Sequence, residues 1–422
     1  MEPTTIALII LLFVVVLYIT ELIPLAMTAV GGCFAMALFK VADFSDAFSG
    51  FSASVVFLVG GMMVVGLALF ETGAAQAIGE KIAKVAKTER KILFLVMLIA
   101  GVLSGFLNNS STAAVFLTVV MGIAAASQGK IRAKNILMPL AFATNAGGMM
   151  TLIGSTPTVI VQGVLVENGA APFGFFEFGL IGAPIFIMVL VCMMTVGYSQ
   201  LRKIDVSPVM VSESAATCNG DGAAVKKTGK MKIAAGIMLL CIILFATEVI
   251  PGHLTAVLGA FLCIVTGCIP EKKFYYQFDW NTILVLAGSL GVARALEVSG
   301  AGQLIANGVL GLGFVDEPYA IFCVIIALTL IFAQIMSNTA TAAMLAPIAF
   351  FIARGAGVSP YPFMAGIGAL AAAGFLTPVC SPPNTMVLVG GYRFKDYIVV
   401  GALPTIAAYL LVIIFVPIIW PF

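Results

Sequence analysis

The stretch "LNNSSTAA" (residues 107–114) lies inside a long apolar tract, and a similar stretch, "MSNTATAA" (336–343), follows 229 positions later. The whole chain is 61% hydrophobic and 9% charged, with a mean hydropathy of +1.15. These values exclude an ordinary soluble domain. Apolar tracts of about 20 residues recur along the chain, each long enough to cross a bilayer core. We therefore expect an all-α polytopic protein of the plasma membrane.

The sequence contains an internal repeat. "LYITELIPLAMTAVGG" (17–32) aligns without a gap on "LFATEVIPGHLTAVLG" (244–259) at an offset of 227. The same offset places "ETGAAQAI" (71–78) on "VSGAGQLI" (298–305). Together with the opening pair, these matches indicate a duplication. We expect a first copy over residues 1–200, a cytoplasmic linker over 201–230 and a second copy over 231–422.

The basic residues indicate how each copy is oriented. Cytoplasmic loops collect Lys and Arg, and in the first copy the segment 92–128 has several basic residues beyond both ends. The matching segment, 319–352, has only Arg354 in its flanks. With the second copy inverted, all of the 21 Lys and Arg residues except Lys40, Arg294 and Arg354 face the cytoplasm. An inverted-topology repeat of about 11 transmembrane segments is the predicted fold class.

A segment with both ends on one side of the membrane must enter it and turn back. We therefore predict two re-entrant hairpins, at 92–128 and 319–352, with tips at Asn108–Thr112 and Ser337–Thr341. Irregular backbone at membrane depth is tolerated only where protein or a wet cavity satisfies its polar groups. The two polar stretches quoted first are these predicted tips.

Each copy also holds a predicted broken helix. "GGMMTLIGSTPTVIV" (147–161) and "GFLTPVCSPPNTMVL" (374–388) both place Gly, Ser, Thr and Pro in mid-span. Proline removes a backbone donor, so we expect unwinding at Gly154–Thr158 and Cys380–Asn384. Unwound carbonyls suit a cation, and the N-termini of half-helices suit an anion. Paired broken helices in inverted halves indicate a shared midplane site of a transporter.

The predicted site is uncharged. Neither tip and neither break contains Arg, Lys, His, Asp or Glu. An anion there would be held by neutral Asn, Ser and Thr donors and by helix dipoles, with a co-bound cation offsetting its charge. Backbone carbonyls and hydroxyls are hard oxygen ligands, as Na⁺ prefers. Glu21 and Glu248, at matching helix ends, allow a proton relay, but their place near the membrane interface favours a structural role.

Other functional classes fit the sequence poorly. The single histidine, His253, and the absence of a CxxC motif argue against a metal site or an enzyme. No phosphate-binding loop of the Walker type is present, which excludes ATP-driven transport by this chain. An ion channel would need a repeated pore lining or charged rings. Nothing in the net charge of +2 points to nucleic acid.

Several motifs resemble those of the divalent anion/sodium symporter family of the ion transporter superfamily. They are "SGFLNNSSTAAVFL", "SNTATAAMLAP", "DWNTILVLAGSL", and "CSPPNTMVL" followed by "GYRFKDY". The resemblance covers essentially the whole chain. It implies a secondary active transporter, not an enzyme, that carries di- or tricarboxylates or sulfate with Na⁺ and without an organic cofactor. It also implies a homodimer in lipid, with a scaffold and a mobile domain that moves as an elevator.

The same resemblance implies site residues. Substrate-binding positions fall on Asn109, Ser110, Ser155, Ser337, Asn338, Thr339, Ser381 and Pro382. One sodium site falls on Ser104, Asn108, Asn109 and Gly154, and a second on Ser337, Asn338 and Cys380.

The sequence departs from the family pattern at three places. The first tip reads Asn-Asn-Ser where the family shows Ser-Asn-Thr, and the first break reads Gly-Ser-Thr-Pro-Thr rather than Gly-Thr-Pro-Pro-Asn. Ala333 stands where a hydroxyl helps the second sodium site. Proton coupling or a sodium-independent dicarboxylate exchanger therefore stays open. A sodium/proton antiporter or an arsenite permease of the same superfamily is a further alternative, although such antiporters would rely on a buried Asp or Glu near the breaks.

Overall fold

The computed structural model describes residues 2–74, 77–78, 81–82, 86, 88–127, 129–204, 229–270, 276–310 and 317–422. Within these ranges the regular structure is entirely helical. Most of the predicted linker, residues 205–228, lies outside the described residues. So do several of the basic residues used to orient the copies, Lys84, Lys87, Lys226, Lys227, Lys272 and Lys273.

The helices follow the two copies in order. The first copy contains α1 (Pro3–Thr20), α2 (Leu25–Leu38), α3 (Phe44–Ala47), α4 (Ser54–Glu71), α5 (Glu89–Ser104), α6 (Asn109–Ala126), α7 (Lys134–Gly148), α8 (Thr156–Glu167), α9 (Gly179–Cys192) and α10 (Tyr198–Lys203). The second contains α11 (Met231–Thr247), α12 (Gly252–Val265), α13 (Trp280–Val298), α14 (Ala301–Leu310), α15 (Pro318–Ile335), α16 (Asn338–Gly355), α17 (Tyr361–Ala371), α18 (Pro382–Met386) and α19 (Phe394–Ile419).

The apolar length of the helices is that of a multi-pass membrane protein. In the part of the chain that the structure describes, 7 helices are long and apolar enough to cross a bilayer, among them both α6 and α15. Shorter apolar helices of 10–17 residues, such as α2, α8 and α12, accompany them. How many segments cross, and whether the hairpins are re-entrant, stays a prediction.

Most of the described helices fall into two sets, and exchanging the two copies maps each set onto itself. In the first set, which we call the scaffold (α1, α2, α4, α11, α12 and α13), α4 packs on α12 and α2 packs on α13. In the second set, the hairpin body (α5–α9 and α15–α19), α5 packs on α7 and α15 packs on α17. Under the repeat, the pair α4–α12 corresponds to α13–α2, and the pair α5–α7 corresponds to α15–α17.

Small residues permit the closest contacts within the scaffold. A Cβ added to Gly61 of α4 would lie 2.5 Å from backbone atoms of Ala256, and one added to Gly288 of α13 would lie 2.7 Å from backbone carbon of Ala29. Gly288 follows Gly61, and Ala256 follows Ala29, at the repeat offset of 227. The duplication therefore preserves the packing geometry as well as the sequence.

The breaks and tips lie a few residues earlier than the sequence predicts. The first broken helix is non-helical between Gly148 and Thr156, and the second between Ala371 and Pro382. The prolines expected to break the helices occupy the first turn of α8 and α18 instead. Proline is tolerated there because its missing N–H would have no partner in any case. In the same way, Asn109 and Asn338 begin the outgoing helices α6 and α16.

Candidate functional site

Both tips and both breaks line one cavity of about 250 Å³. Segments more than 200 positions apart in sequence thus meet at one place. Of the residues that the sequence singled out, the cavity is lined by Asn108, Asn109, Ser110, Gly154, Ser155, Ser337, Asn338, Thr339, Cys380, Ser381 and Pro382. Ser104 is the exception: it is fully buried behind Asn109 and does not line the cavity.

The first residues of four helices contribute to the lining. These helices are α6, α8, α16 and α18. The side chain of Asn108 accepts a hydrogen bond from the N–H of Ser110 at 2.8 Å, and Ser337 Oγ accepts one from the N–H of Ala340 at 3.2 Å. Helix N-termini carry partial positive charge and free N–H groups. Their convergence favours an anion without any basic side chain.

The amide of Asn109 reaches oxygens of three other residues. With the amide turned so that its nitrogen faces them, it donates to Ser104 Oγ at 2.6 Å, to the Gly154 carbonyl at 2.8 Å and to the Thr144 carbonyl at 3.2 Å. In the opposite amide orientation, Ser104 Oγ donates to Asn109 Oδ1 at 2.6 Å. The two carbonyls accept hydrogen bonds and therefore favour the orientation in which the amide nitrogen faces them. With Oδ1 turned inward, an amide oxygen, a hydroxyl and two carbonyls would form a set of hard oxygen ligands for a monovalent cation.

Asn338 occupies the matching place in the second copy. With its amide turned so that the nitrogen faces the carbonyls, it donates to the Cys380 carbonyl at 2.9 Å and to the Ala371 carbonyl at 3.0 Å. Its backbone N–H also donates to the Cys380 carbonyl, at 3.0 Å. Ala371 follows Thr144 at the repeat offset of 227. Here no hydroxyl equivalent to that of Ser104 is present, because Ala333 stands four residues before Ser337.

Each tip is tied to the break of its own copy. In the first copy, Thr151 Oγ1 donates to the carbonyl of Gly105. In the second, Thr377 Oγ1 donates to the Gln334 carbonyl at 2.8 Å, and the N–H of Leu376 donates to Gln334 Oε1 at 3.0 Å. These bonds satisfy backbone groups that the breaks leave without helical partners.

Two polar side chains, one after each break, donate hydrogen bonds to backbone carbonyls of the unwound segment before them. Thr158 Oγ1 donates to the carbonyls of Ser155 at 2.6 Å and Leu152 at 2.8 Å. Asn384 Nδ2 donates to the carbonyls of Gly374 at 2.8 Å and Thr377 at 3.0 Å. Both side chains are fully buried. They hold the unwound backbone in one conformation behind the cavity.

Sequence reasoning missed Asn145, which joins the two copies. Its Nδ2 donates to Ser381 Oγ at 2.9 Å and to Asn384 Oδ1 at 3.1 Å. It also lines the cavity, and its Oδ1 is buried without a partner. The available signal was the pair Thr144 and Asn145 near the end of a mostly apolar helix, since polar residues within membrane segments are often functional.

Sequence reasoning also missed the scaffold wall of the cavity, which includes Asp279, Asn281 and Thr282. Asp279 is the one charged residue among the described residues that line it. Its carboxylate caps α13, accepting from the N–H of Thr282 at 3.2 Å and from Thr282 Oγ1 at 2.6 Å. The motif "DWNTILVLAGSL" contained these residues, but its spacing gave no sign that they reach the tips.

Within the described residues, no group of three or more His, Cys, Asp and Glu side chains could hold a metal ion, and seven cysteines there are free.

Comparison with known proteins places the chain in a transporter family. A family model described as a citrate transporter, CitMHS, matches residues 15–368 and 312–422.

Individual proteins resemble the chain over most of its length. The uncharacterized transporter YfbS of Escherichia coli is 22% identical over 599 residues, which covers 97% of this chain and 98% of that protein. The sodium-dependent dicarboxylate transporter SdcS of Staphylococcus aureus (strain USA300) is 24% identical, covering 90% and 79%. The crystal structure of the YdaH transporter of Alcanivorax borkumensis shares the fold with a TM-score of 0.58 at 14% identity, covering 92% and 90% of the two chains.

Proposed function

Since the chain belongs to the citrate transporter family CitMHS, we propose that it is a secondary active transporter of a di- or tricarboxylate, or of sulfate, across the plasma membrane. The observation that carries this proposal is the cavity shared by both tips and both breaks. Its lining offers amides, hydroxyls and the N-termini of four helices, and the described residues of the lining include no Lys, Arg or His. A solute with several oxygen acceptors fits such a lining.

The size of the cavity also supports a small solute. Its volume of about 250 Å³ is below the roughly 300–1,000 Å³ of pockets for drug-sized ligands. Because no buried ion pair would have to break, release of the anion would need little energy. The proposed substrate contacts are Asn109, Ser110, Ser155, Ser337, Asn338, Thr339, Ser381 and Pro382.

We further propose that Na⁺ travels with the anion. In the first copy Ser104, Asn108, Asn109 and Gly154 would hold it, and the sodium dependence of the SdcS relative supports this coupling. In the second copy Ser337, Asn338 and Cys380 would hold a second ion, with fewer ligands because Ala333 lacks a hydroxyl. When no cation is bound, each asparagine amide donates to carbonyls that would otherwise be cation ligands.

A sodium/proton antiporter, an arsenite permease and a sodium-independent exchanger are the competing functions. Antiport would need a carboxylate free to exchange protons in the cavity. The only acid in the described lining, Asp279, already accepts two hydrogen bonds from Thr282. This contact favours anion carriage over proton exchange at the site.

The proposal includes the elevator mechanism and the homodimer that the family resemblance implies. The division of the helices into a scaffold and a hairpin body supports the first. Mass measurement of the protein in lipid nanodiscs tests the second, with twice the 43.9 kDa chain mass expected.

Uptake by proteoliposomes tests the transport function. We expect radiolabelled succinate, citrate or sulfate to accumulate, faster with an inward Na⁺ gradient than with choline. Asn109→Ala and Asn338→Ala should each abolish uptake, because each removes a cavity-lining amide. Asn307→Ala, at an exposed position of α14, is the matched control and should transport normally. Normal uptake by either site variant, with the fold intact, would contradict the proposed site.

A further inference from the structure

Glu21 and Glu248 end equivalent helices in the same unusual conformation. Glu21 follows α1 with φ 48° and ψ 30°, and Glu248 follows α11 with φ 50° and ψ 24°. Their N–H groups donate to the carbonyls of Leu17 and Leu244, respectively. Glycine is the usual residue at such a left-handed helix end. A glutamate at both places indicates that the side chain itself is needed.

The two carboxylates nevertheless have different surroundings. Glu21 Oε1 accepts a hydrogen bond from the backbone N–H of Ser337, the N-cap of α16, at 3.3 Å. Glu248 lines a second cavity of about 640 Å³ and accepts no hydrogen bond from any described residue. The residue equivalent to Ser337 in the first copy is Asn108, the N-cap of α6. Asn108 lines the site cavity, as Ser337 does, and does not line the second cavity beside Glu248.

Three scaffold positions that line the site cavity have counterparts, under the repeat, that line the second cavity. Leu25, Asn281 and Thr282 line the site cavity. At the offset of 227 their counterparts are Gly252, Ser54 and Val55, which all line the second cavity. The hairpin tips lie against the wall of the site cavity, and no described tip residue lines the second cavity. The molecule therefore occupies one of two arrangements that the repeat makes equivalent.

We propose that Glu21 and Glu248 are alternate docking residues for the two hairpin tips. In the present state Glu21 holds the Ser337 end of α16. In the opposite state the first tip moves against the second wall, Glu248 accepts the N–H of Asn108, and Glu21 is released. This inference rests on the proposed transport function and names the contacts that stabilise the end states of its cycle.

The physical basis is the interaction of a carboxylate with a helix N-terminus. An exposed acid at that position shifts an equilibrium by roughly two- to fivefold at low ionic strength. A contact of this strength favours one end state without trapping it. Because the same contact forms at the other end, neither state gains a lasting advantage, which suits a carrier that must visit both.

A cross-linking experiment on the full chain in liposomes tests the docking. Asn108→Cys and Glu248→Cys are introduced together, oxidised with copper phenanthroline, and the linked peptides are identified by mass spectrometry. We expect a 108–248 disulfide, although in the present arrangement the two residues line different cavities. Glu248→Cys with Ser127→Cys, at the other end of α6, is the control pair and should not link.

Adding Glu21→Gln to the 108–248 pair should make that link form about two- to fivefold faster, since release of Ser337 raises the population of the opposite state. Glu317→Gln, an acid before α15 that makes no side-chain cap, should leave the rate unchanged. Absence of the 108–248 link, or an unchanged rate with Glu21→Gln, would overturn the docking. If the wild-type chain then still transports, only the docking has failed; a link without transport would instead contradict the transport function.

Discussion

In the proposed site, Asn109 and Asn338 would each serve both the cation and the anion without carrying a charge. An amide is both a donor and an acceptor, and a half-turn of its side chain exchanges the two. Asn109 faces Ser104, Thr144 and Gly154, and Asn338 faces Ala371 and Cys380. Alanine at either position would leave buried carbonyls unpaired as well as removing a ligand, so its effect on folding must be measured beside uptake.

Asn145 gives a prediction at the same scale. Asn145→Leu removes the donor to Ser381 Oγ and Asn384 Oδ1. We expect a loss of about 1–3 kcal/mol in the free energy of unfolding, since Asn384 keeps a buried acceptor without a partner. The apparent KM of uptake should rise about tenfold, the value of one hydrogen bond of roughly 1.4 kcal/mol.

Thermal unfolding in detergent and concentration-dependent uptake measure these two effects. The control is Asn307→Leu, at an exposed position on α14, where we expect a change within about 0.5 kcal/mol. Wild-type stability and KM in Asn145→Leu would mean that the bridge between the copies has no energetic role.

At the scale of elements, the hairpins and broken helices depend on backbone approaching backbone. Gly154 lies where the first break crosses the first tip. A Cβ added there would lie 2.5 Å from the Gly148 carbonyl oxygen and 2.8 Å from those of Ser104 and Gly105. All three are backbone oxygens, which cannot swing aside as the end of a flexible side chain can. The site geometry therefore requires glycine at this crossing for reasons of space alone.

Gly154→Ala should therefore destabilise the fold by about 1–3 kcal/mol or more, as overpacking does in other interiors. Gly122→Ala in α6 is the control, because a Cβ there meets no atom within 4 Å. In a helix interior that change should stabilise by about 0.5–1 kcal/mol. The midpoint of thermal unfolding and the monodisperse fraction on size exclusion distinguish the two. Equal stability of both variants would contradict the close crossing.

At the scale of the whole molecule, the two copies share one pattern but not one arrangement. The scaffold pairs α2–α13 and α4–α12 are images of each other. In contrast, only one of the two matching scaffold walls faces the tips. Under the docking proposed above, the two copies would exchange these roles during transport. The site would then open to one side of the membrane and to the other in turn.

Cation binding gives the prediction for the whole molecule. A ligand that binds only the folded state stabilises it by RT ln(1 + [L]/Kd), about 2.7 kcal/mol at a hundredfold excess over Kd. Na⁺ should therefore raise the unfolding temperature relative to choline at equal ionic strength. Asn109→Ala and Asn338→Ala should each reduce that increase, whereas Asn307→Ala should not.

The dependence of the unfolding temperature on Na⁺ concentration, measured in detergent, also indicates how many ions bind. Wild-type protein that transports succinate, yet unfolds at the same temperature in Na⁺ and choline, would contradict sodium coupling. Proton coupling or exchange would then be the better account.

The sequence by itself determined the class of protein and predicted which segments would form the proposed site. Polar and proline-rich islands inside apolar tracts have few physical explanations, because lipid cannot satisfy a broken backbone. Their repetition at a constant offset indicated the two tips and the two breaks. The boundaries were less accurate: proline also starts helices, so the pattern alone did not show that Pro157 and Pro382 lie just after the unwound segments.

Only the tertiary structure decided which groups meet. The joining of the copies by Asn145, the scaffold wall at Asp279 and the contact of Glu21 with Ser337 all connect segments far apart in the chain. Local patterns determine which backbone groups need partners, because hydrogen-bond and lipid constraints act within each segment. They do not contain the distances between segments, because those distances are fixed only when the helices pack together.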